Sequence, residues 1–485
     1  MNDVTASDRR IVPAIETELR GADFGDPRLS TRLVTLASRL AGHPGGGLPT
    51  CVGNDAQLEC CYRFLSNRRV TPQRMLEPHH RQTFERIAQR KEALAVHDTT
   101  ELEFGGHRRD LGPLSSGSRE GFFLHTTLAV AADTSRQPLG VLATHFWTRT
   151  TTPRPKKDGR RLNGQASSKL PDRESRRWVD QVQDVEARKS PDVSLIHVAD
   201  RESDAFDMLQ AVQERRYVLR ANHDRRVFVD NDQPSHVREA CQNAPVSLTL
   251  QVDVSARKSR PQPGAAQSHP GRDARVAQVS VRGLLVEIRE PYVRNGKVLK
   301  VNVVHARELD PPAGADPIDW LLYTSEPVDT AAQLERVIDL YRARWVIEEF
   351  FKALKTGCEV QSLQLETYEA LRNAVALHLP IAWQLLLVRS VARVQPDAPA
   401  TQVLTDTQLQ VLRTFGRRPL PERPTVQQVM IAIAILGGYL ITKAKGPPGW
   451  ITLGRGMQQL MTLELGWLAG QAAAQGEALK DPLEH

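Results

Sequence analysis

The stretch DVSLIHVADRESDAF at residues 192–206 decides the fold class. A mostly apolar run with several β-branched residues stops at Asp200, and its length and composition favour a buried strand. Residues 204–215 (DAFDMLQAVQER) then show helical periodicity. A buried strand that leads directly into a helix is typical of an α/β domain.

Similar strand patterns occur upstream and downstream of this stretch. EALAVHDTT at 92–100 is a short apolar run that stops at Asp98. GFFLHTTLAVAAD at 121–133 and PLGVLATHFWT at 138–148 predict two antiparallel strands joined by a turn. Several strand-like runs with polar breaks follow from about 220 to 325, before helical periodicity returns. The sequence therefore predicts an α/β core that is interrupted by a β-rich insertion.

Helical patterns dominate both ends of the chain. Asp26 followed by Pro27 predicts a capped helix N-terminus, and Thr71 is the expected cap of a later helix. After residue 396 the pattern is again helical, with prolines at 419–424 as a break. We therefore expect three domains. These are a helical unit at 1–76, an α/β core at 77–395 with its insertion at about 221–325, and a helical unit at 396–485.

The composition is that of a globular protein with more than one core. The chain has 485 residues, of which 40% are hydrophobic, and a mean hydropathy of −0.40. The longest apolar stretch that we identify, at 427–442, is shorter than the roughly 18 residues of a membrane span. The first ten residues lack the apolar core of a secretory signal. A cytoplasmic protein without a membrane partner is expected.

The cysteines argue against a disulfide or zinc framework. There are five of them, none in a CxxC pair, and no histidine spacing completes a zinc site. A reducing compartment and no structural metal are therefore expected.

The charge distribution favours a polyanionic partner. The net charge is +7 and the isoelectric point is near 9.2. Basic residues concentrate at 153–161, 173–177, 220–226 and 257–275, between apolar segments where loops would present them. Each cluster alone could equally be a solvated loop, but their recurrence favours nucleic acid as the partner.

Two aspartates end predicted strands. Asp98 and Asp200 each follow a buried-looking apolar run, and open α/β sheets bind ligands just outside the carboxyl ends of their strands. Two neighbouring carboxylates repel each other unless a cation lies between them or one is protonated. Oxygen ligands of this kind suit Mg²⁺. The simpler alternative is that each aspartate caps a strand or forms a turn.

The stretch YRARWVIEEFFKALKTG at 341–357 supplies a third carboxylate. On an ideal helix of 100° per residue, Tyr341, Arg344, Glu348 and Lys355 fall within about 60° of one another, beside the apolar side chains. A polar stripe that borders the buried face indicates the edge of a site. The alternative is a solvated helix with pairs such as Glu348–Lys352.

These motifs together resemble bacterial cut-and-paste transposases of the DDE type, within the insertion-sequence-four family and with closest similarity to the Tn-five transposase. The similarity runs from FGDPRLSTRL at 24–33 to GGYLITKAKGPPGW at 437–450. The family signature of Tyr, Arg, Glu and Lys falls on Tyr341, Arg344, Glu348 and Lys355. DTT at 98–100 and DRESD at 200–204 match the two aspartate motifs. The resemblance therefore implies that Asp98, Asp200 and Glu348 are the catalytic, metal-binding residues.

The resemblance also implies a fold, a cofactor and DNA contacts. The fold would be an RNase H-like core, and the cofactor would be two Mg²⁺ ions, for which Mn²⁺ substitutes. Arg201 and Asp204, which neighbour Asp200, could instead serve only to orient it through hydrogen bonds. The residues that would contact DNA are Tyr341, Arg344, Lys355, Trp320, Arg220, Arg28, Arg32, Tyr62 and Arg63. Trp320 could instead be a core residue, and Tyr62 and Arg63 could simply serve helix packing.

The implied activity is transposition. The protein would bind the inverted-repeat ends of its element as a homodimer and nick one strand with water. It would then form a hairpin with the freed 3′-hydroxyl and join the 3′ ends to target DNA, and it would be nucleoid-associated when bound. The alternatives are a structure-specific metal nuclease without strand joining and a non-catalytic DNA-binding inhibitor of transposition. The presence of all three carboxylates and of the whole signature argues against the inhibitor.

Overall fold

A large mixed β-sheet lies at the centre of the molecule, with helices on both faces. The structure is a computed structural model that describes residues 10–475. The exceptions are residues 53, 106–107, 117, 150–155, 158–159, 162–173, 230–232, 255, 257–270 and 442–446.

The first half of the chain builds the core of the sheet. Its strands are β1 (Glu92–Glu103), β2 (Gly112–Pro113), β3 (Glu120–Ala131), β4 (Pro138–Trp147), β5 (Lys156–Lys157), β6 (Arg160–Arg161), β7 (Ser194–Ala199) and β8 (Arg216–Arg220). Strands β4, β3, β1, β7 and β8 are neighbours in that order. β1, β7 and β8 run parallel, whereas β3 and β4 are antiparallel to their neighbours. This arrangement confirms the predicted strands and the predicted α/β class, and it is consistent with an RNase H-like core.

Alternate residues of β1 pack into two different apolar clusters, as the two-residue period of a strand requires. Leu94 and Val96 belong to the largest cluster of the described residues. Ala93 and Ala95 belong to a second cluster on the opposite face, which includes Val185. Because both faces of the strand are covered, its sequence is almost continuously apolar up to Val96.

The β-rich insertion extends the core sheet. Its elements are β9 (Arg226–Val229), β10 (Gln233–His236), α8 (Val237–Asn243), β11 (Leu248–Val254), β12 (Arg275–Arg289), β13 (Val298–Glu308) and β14 (Asp319–Thr324). β14 pairs antiparallel with β8, and β13, β12, β9 and β10 continue the sheet beyond it. In the described residues, twelve strands therefore form one sheet.

The N-terminal helices are α1 (Ile15–Leu19), α2 (Pro27–Gly42), α3 (Leu48–Cys51), α4 (Asp55–Leu65) and α5 (Pro72–Arg90). Asp26 caps α2 by accepting a hydrogen bond from the Arg28 amide, and Thr71 caps α5 by accepting one from the Arg74 amide, as predicted. α5 continues without a break through residue 76, where we expected a domain to end.

The remaining helices follow the strands or form the C-terminal part of the chain. They are α6 (Glu174–Arg188), α7 (Phe206–Val212), α9 (Ala331–Arg342), α10 (Trp345–Lys352), α11 (Tyr368–Val394), α12 (Asp406–Phe415), α13 (Val426–Leu436) and α14 (Trp450–Ala474). Residues Ala353–Gly357 form a π-helical turn after α10.

Among the described helices, the long apolar one is α11, and not the 427–442 stretch identified from the sequence. α11 has 27 residues and is apolar enough to cross a membrane by length and composition, but 83% of its most apolar window is buried inside the protein. It packs in the largest apolar cluster through residues such as Leu377 and Trp383. This apolar helix is therefore part of the protein core.

Candidate active site

The two predicted aspartates occupy neighbouring positions on parallel strands. β1 does not stop at Asp98, as the sequence suggested, but continues to Glu103 because it stays paired with β3. Its pairing with β7 does end there, since His97 and Ala199 are the last paired residues. Asp98 and Asp200 therefore follow paired residues on adjacent strands.

Asp200 sits at the start of a tight turn that fixes its carboxylate. Its Oδ1 accepts a hydrogen bond from the Glu202 amide at 2.9 Å, and the 3₁₀ turn Arg201–Ser203 follows. Ser203 donates its hydroxyl to the Asp200 carbonyl at 2.7 Å. These local hydrogen bonds hold Asp200 at the end of β7.

Asp204 does not orient Asp200, contrary to the expectation from the DRESD motif. Its carboxylate is buried and accepts hydrogen bonds from the backbone amides of Asn222 and His223 at 2.6 and 2.8 Å. It also forms an ion pair of 2.6 Å with Arg225. Asp204 therefore attaches the first residues of the insertion to the turn that follows Asp200.

Arg344 brings the third carboxylate into the group. Its Nη1 lies 3.2 Å from Asp98 Oδ2, and its Nη2 lies 2.5 Å from Glu348 Oε1. Arg344 is only 9% exposed, so this bridge is largely shielded from solvent. One guanidinium therefore connects a residue of β1 with a residue of α10 that is 250 positions further along the chain.

The carboxylates are close enough to affect one another. Burial and the charge of Asp200 raise the pKa of Asp98 to about 7, against the opposing effect of Arg344. Burial also raises the pKa of Glu348, although Arg344 works in the opposite direction. One partly buried region therefore contains three carboxylates, those of Asp98, Asp200 and Glu348. The single positive charge of Arg344 does not balance them.

The polar stripe of residues 341–355 faces inward, but it is not built on one straight helix. α9 ends at Arg342, α10 starts at Trp345, and the π-helical turn begins at Ala353. Tyr341 is nevertheless buried, and Lys355 lies near Glu101 and Asp98 with its pKa lowered by burial. The alternative pair Glu348–Lys352 does not form, because Lys352 binds Glu349 at 2.7 Å.

Trp320 and Arg220 lie against Tyr341. The Arg220 guanidinium donates to the Tyr341 hydroxyl at 3.3 Å and to the Asp319 carbonyl at 3.1 Å. Trp320 is half-buried and meets the Tyr341 ring edge-on, with ring centroids 5.9 Å apart. The structure therefore joins three of the predicted DNA-contacting residues into one aromatic and cationic patch beside the carboxylates.

The other four predicted DNA contacts lie on the N-terminal helices. Arg28 of α2 is exposed and paired with Asp26, and Arg63 of α4 lies 3.7 Å from Glu59. Arg32 is half-exposed on α2, and Tyr62 packs partly against the apolar core. No hydrogen bond or ion pair within the described part of the chain joins these four residues to the carboxylates.

Sequence reasoning missed one acidic residue, Glu101, and treated Glu202 only as a neighbour of Asp200. Glu101 lies within electrostatic reach of Lys355 and of Glu202. The pKa of Glu202 is raised by burial and by the charge of Asp200. The available signal for Glu101 was the acidic pattern of ELE at 101–103, which lies on β1 beyond the apolar run that ends at Asp98.

Comparison with known protein families agrees with this geometry. A family model described as transposase DNA-binding matches residues 12–70. A second model, described as transposase DDE domain, matches residues 71–383, which is more than half of the chain. The chain belongs to the DDE transposase family. A DNA-binding unit joined to a DDE domain supports DNA as the partner and metal-dependent phosphoryl transfer as the general activity.

The donor atoms of the transposase site suit a hard divalent cation in kind. Asp98, Asp200 and Glu348 offer only oxygen ligands, and the raised pKa of Asp98 reflects a burial and repulsion that a cation would relieve. Within the described residues, however, no three His, Cys, Asp or Glu side chains are already spaced to hold a metal ion. Arg344 supplies the positive charge between Asp98 and Glu348.

The sequence predicted that loops present the basic clusters of the transposase, but some of these residues make contacts within the fold. Residues 153–161 and 257–275 lie mostly outside the described residues. In the cluster at 173–177, α6 begins at Glu174, and Arg177 packs over the Trp147 ring at 4.5 Å. In the cluster at 220–226, Arg225 is paired with Asp204. Part of this positive charge therefore serves the fold.

Proposed function

We propose that the chain is a cut-and-paste transposase of the insertion-sequence-four family. It would bind the inverted-repeat ends of its element, nick one strand with water and use the freed 3′-hydroxyl to form a hairpin. It would then reopen the hairpin and join the 3′ ends to target DNA. It would act on chromosomal DNA in the cytoplasm, as a homodimer that pairs two ends.

The observation that carries the proposal is the Arg344 bridge between Asp98 and Glu348. A guanidinium held between two carboxylates, with Asp200 on the adjacent strand, joins three distant segments into one charged site. Strongly perturbed carboxylates that converge from separate elements are typical of catalytic sites. An ordinary surface ion pair is exposed to solvent and does not bring together residues from several distant segments.

In this proposal, Asp98, Asp200 and Glu348 hold the divalent ions. When bound, two Mg²⁺ ions, or Mn²⁺ in their place, would activate the attacking oxygen and stabilise the leaving oxygen of the phosphodiester. Arg344 would favour the ionised form of the carboxylates and present positive charge to the scissile phosphate. Lys355 and Tyr341 would hold the phosphates beside it, since both lie along the same inward-facing stripe.

The remaining contacts would divide between two parts of the molecule. Trp320 would stack on a base displaced during hairpin formation, and Arg220 would bind a nearby phosphate. The helical N-terminal unit, which is matched by the DNA-binding model, would recognise the element end. Its contacts would be Arg28, Arg32, Tyr62 and Arg63. The helical C-terminal unit would form the dimer.

Three neutralising substitutions test the site. Asp98→Asn, Asp200→Asn and Glu348→Gln should each abolish Mg²⁺-dependent cleavage of a duplex that carries the repeats flanking the gene. Binding to the same duplex and the circular dichroism spectrum should be retained. Glu77→Gln is the matched control, since Glu77 is exposed on α5 and paired only with Arg81. Cleavage at the control rate by any of the three variants would refute the site assignment.

The same reaction separates the alternative functions. A nuclease would cut the ends but would leave no products joined to a target plasmid. A non-catalytic inhibitor would bind the ends without cutting them in either Mg²⁺ or Mn²⁺. We expect joined products from the unmodified protein.

A further inference from the structure

A basic cleft lies beside the α9–α10 turn, which also carries Arg344 of the carboxylate site. It has a volume of about 610 Å³, and its walls include Arg136, Arg342, Trp345, Glu349, Arg389 and Arg393. The arginines come from the β3–β4 turn, from the end of α9 and from the last turns of α11. Three separate elements thus direct guanidinium groups into one cleft.

The positive charge of the cleft is only partly compensated. Arg136 and Arg342 share one carboxylate oxygen of Asp339, each at a distance of 3.4 Å. Arg389 pairs with Glu349 at 3.0 Å, but Glu349 also binds Lys352 at 2.7 Å. Among the described residues, four arginines therefore face two carboxylates, which leaves an excess of two positive charges even before Lys352 is counted.

The arginines repel one another. Burial and the neighbouring Arg342 and Arg393 lower the pKa of Arg136, while Asp339 opposes this effect. Burial also lowers the pKa of Arg389, and Arg393 adds to the effect. Arg389 and Arg393 are one turn apart on α11, a spacing at which like charges are destabilising. A fold that needed these residues only for stability would not collect them in one cleft.

The cleft adjoins the carboxylate site. Trp345 lines the cleft and is 60% exposed, and the Arg344 guanidinium, which binds Asp98 and Glu348, lies 5.5 Å from the centre of its ring. Arg342 and Arg344 are separated by one residue. Arg342 lines the cleft, whereas Arg344 binds Asp98 and Glu348. The cleft and the carboxylate site therefore lie close together around the α9–α10 turn.

We propose that this cleft binds the backbone phosphates of a DNA segment that lies next to the reacting strand. Guanidinium groups bind phosphates through paired N–H donors, and several of them along one cleft fit a repeating polyanion. The inference rests on the proposed function for its choice of DNA. The phosphates would come either from the DNA that flanks the element end or from the target duplex.

The test is the salt dependence of DNA binding by Arg342→Gln/Arg393→Gln. Each phosphate contact contributes about 0.9 to the slope of log affinity against log salt concentration. Loss of two contacts should therefore reduce the slope by about 1.8 and weaken binding tenfold or more at about 0.1 M salt. The matched control is Arg81→Gln/Arg413→Gln, which removes two exposed arginines from other helices and the same net charge.

Two fluorescent duplexes distinguish the source of the DNA. A reduced slope with a duplex of unrelated sequence would identify target-type DNA in the cleft. A reduced slope only with a duplex that carries the element end and its flank would identify the flank. Slopes equal to those of the control on both duplexes would overturn the inference. Because binding is measured without Mg²⁺ and without cleavage, failure of the proposed reaction would not affect this result.

Discussion

Replacement of Glu18 by Gln should destabilise the attachment of the N-terminal helices to the core. Glu18 lies on α1 with a fully buried side chain. Its carboxylate accepts hydrogen bonds from His79 Nδ1 at 2.5 Å and from Arg86 at 2.7 Å. The Val141 amide donates to His79 Nε2 at 3.0 Å, so His79 is the neutral tautomer that carries its proton on Nδ1. Glu18 is therefore the carboxylate that balances Arg86.

The size of the effect follows from the pKa. Burial alone would raise the pKa of Glu18, but the hydrogen bonds from His79 and Arg86 lower it from an ordinary value of 4.5 to about 2. A difference of 2.5 units corresponds to at most about 3.4 kcal/mol at neutral pH, since part of the lowering comes from the charge of a protonated His79. Because the folded-state pKa is the lower one, this stability is present above pH 4.5 and is lost as the pH falls towards 2. About 0.8 kcal/mol should already be lost at pH 4.

Urea unfolding at pH 7 and at pH 4 measures both quantities. Glu18→Gln should lower the free energy of unfolding at pH 7 by about 3 kcal/mol, because Arg86 loses its buried partner. The difference from the unmodified protein should shrink by about 0.8 kcal/mol at pH 4. Glu77→Gln, which alters an exposed residue, should change stability by less than about 0.5 kcal/mol. A Glu18→Gln protein that matched this control at pH 7 would refute the reasoning.

Three other outcomes follow from the structure. Gly140→Ala should lower the free energy of unfolding by about 3 kcal/mol or more, because the φ of Gly140 is +141° and a Cβ would lie 2.1 Å from Thr83 Oγ1. An unchanged midpoint of thermal or urea unfolding would contradict this. In the native protein a thiol reagent should modify Cys60 first, because the other four cysteines are buried. All five thiols should react after unfolding. Rapid reaction of two or more thiols in the native protein would contradict the packing described. Arg344→Gln should reduce cleavage about 100-fold while DNA binding changes only slightly, and Arg344→Lys should recover part of the loss; full activity of Arg344→Gln would exclude a catalytic role.

Local signals predicted the elements that depend on local chemistry. Asp26 and Pro27 predicted the start of α2, and Thr71 predicted the start of α5, because a cap and its helix are neighbours in sequence. The pair β3–β4 was also predictable, since its turn connects the two strands directly. These features need no knowledge of distant residues.

Features that depend on distant partners were not predictable in the same way. β1 continues past Asp98 because β3 lies beside it, and the mostly polar residues at 99–103 gave no sign of that partner. The break between α9 and α10 has no Pro or Gly to mark it, so an ideal helix misplaced the details of the stripe. Glu348 binds Arg344 instead of Lys352, and the same guanidinium also binds Asp98 on a distant strand.

The role of Asp204 illustrates the same difficulty. Its place in DRESD indicated a partner of Asp200, but its ligands are the amides of Asn222 and His223 and the side chain of Arg225. These residues follow β8, so only the parallel pairing of β7 with β8 brings them close. Sequence proximity to a catalytic candidate was therefore a poor guide to what this carboxylate contacts.

The continuous sheet has a mechanical consequence for the insertion. Trp320 lies on β14, whose ladder hydrogen bonds with β8 include the register pair Leu322 and Arg220. A hinged appendage could swing its tryptophan towards a displaced base, but this strand cannot rotate without breaking that ladder. The DNA would have to supply the movement, so distortion of the duplex, and not closure of the protein, would set how easily a base reaches Trp320.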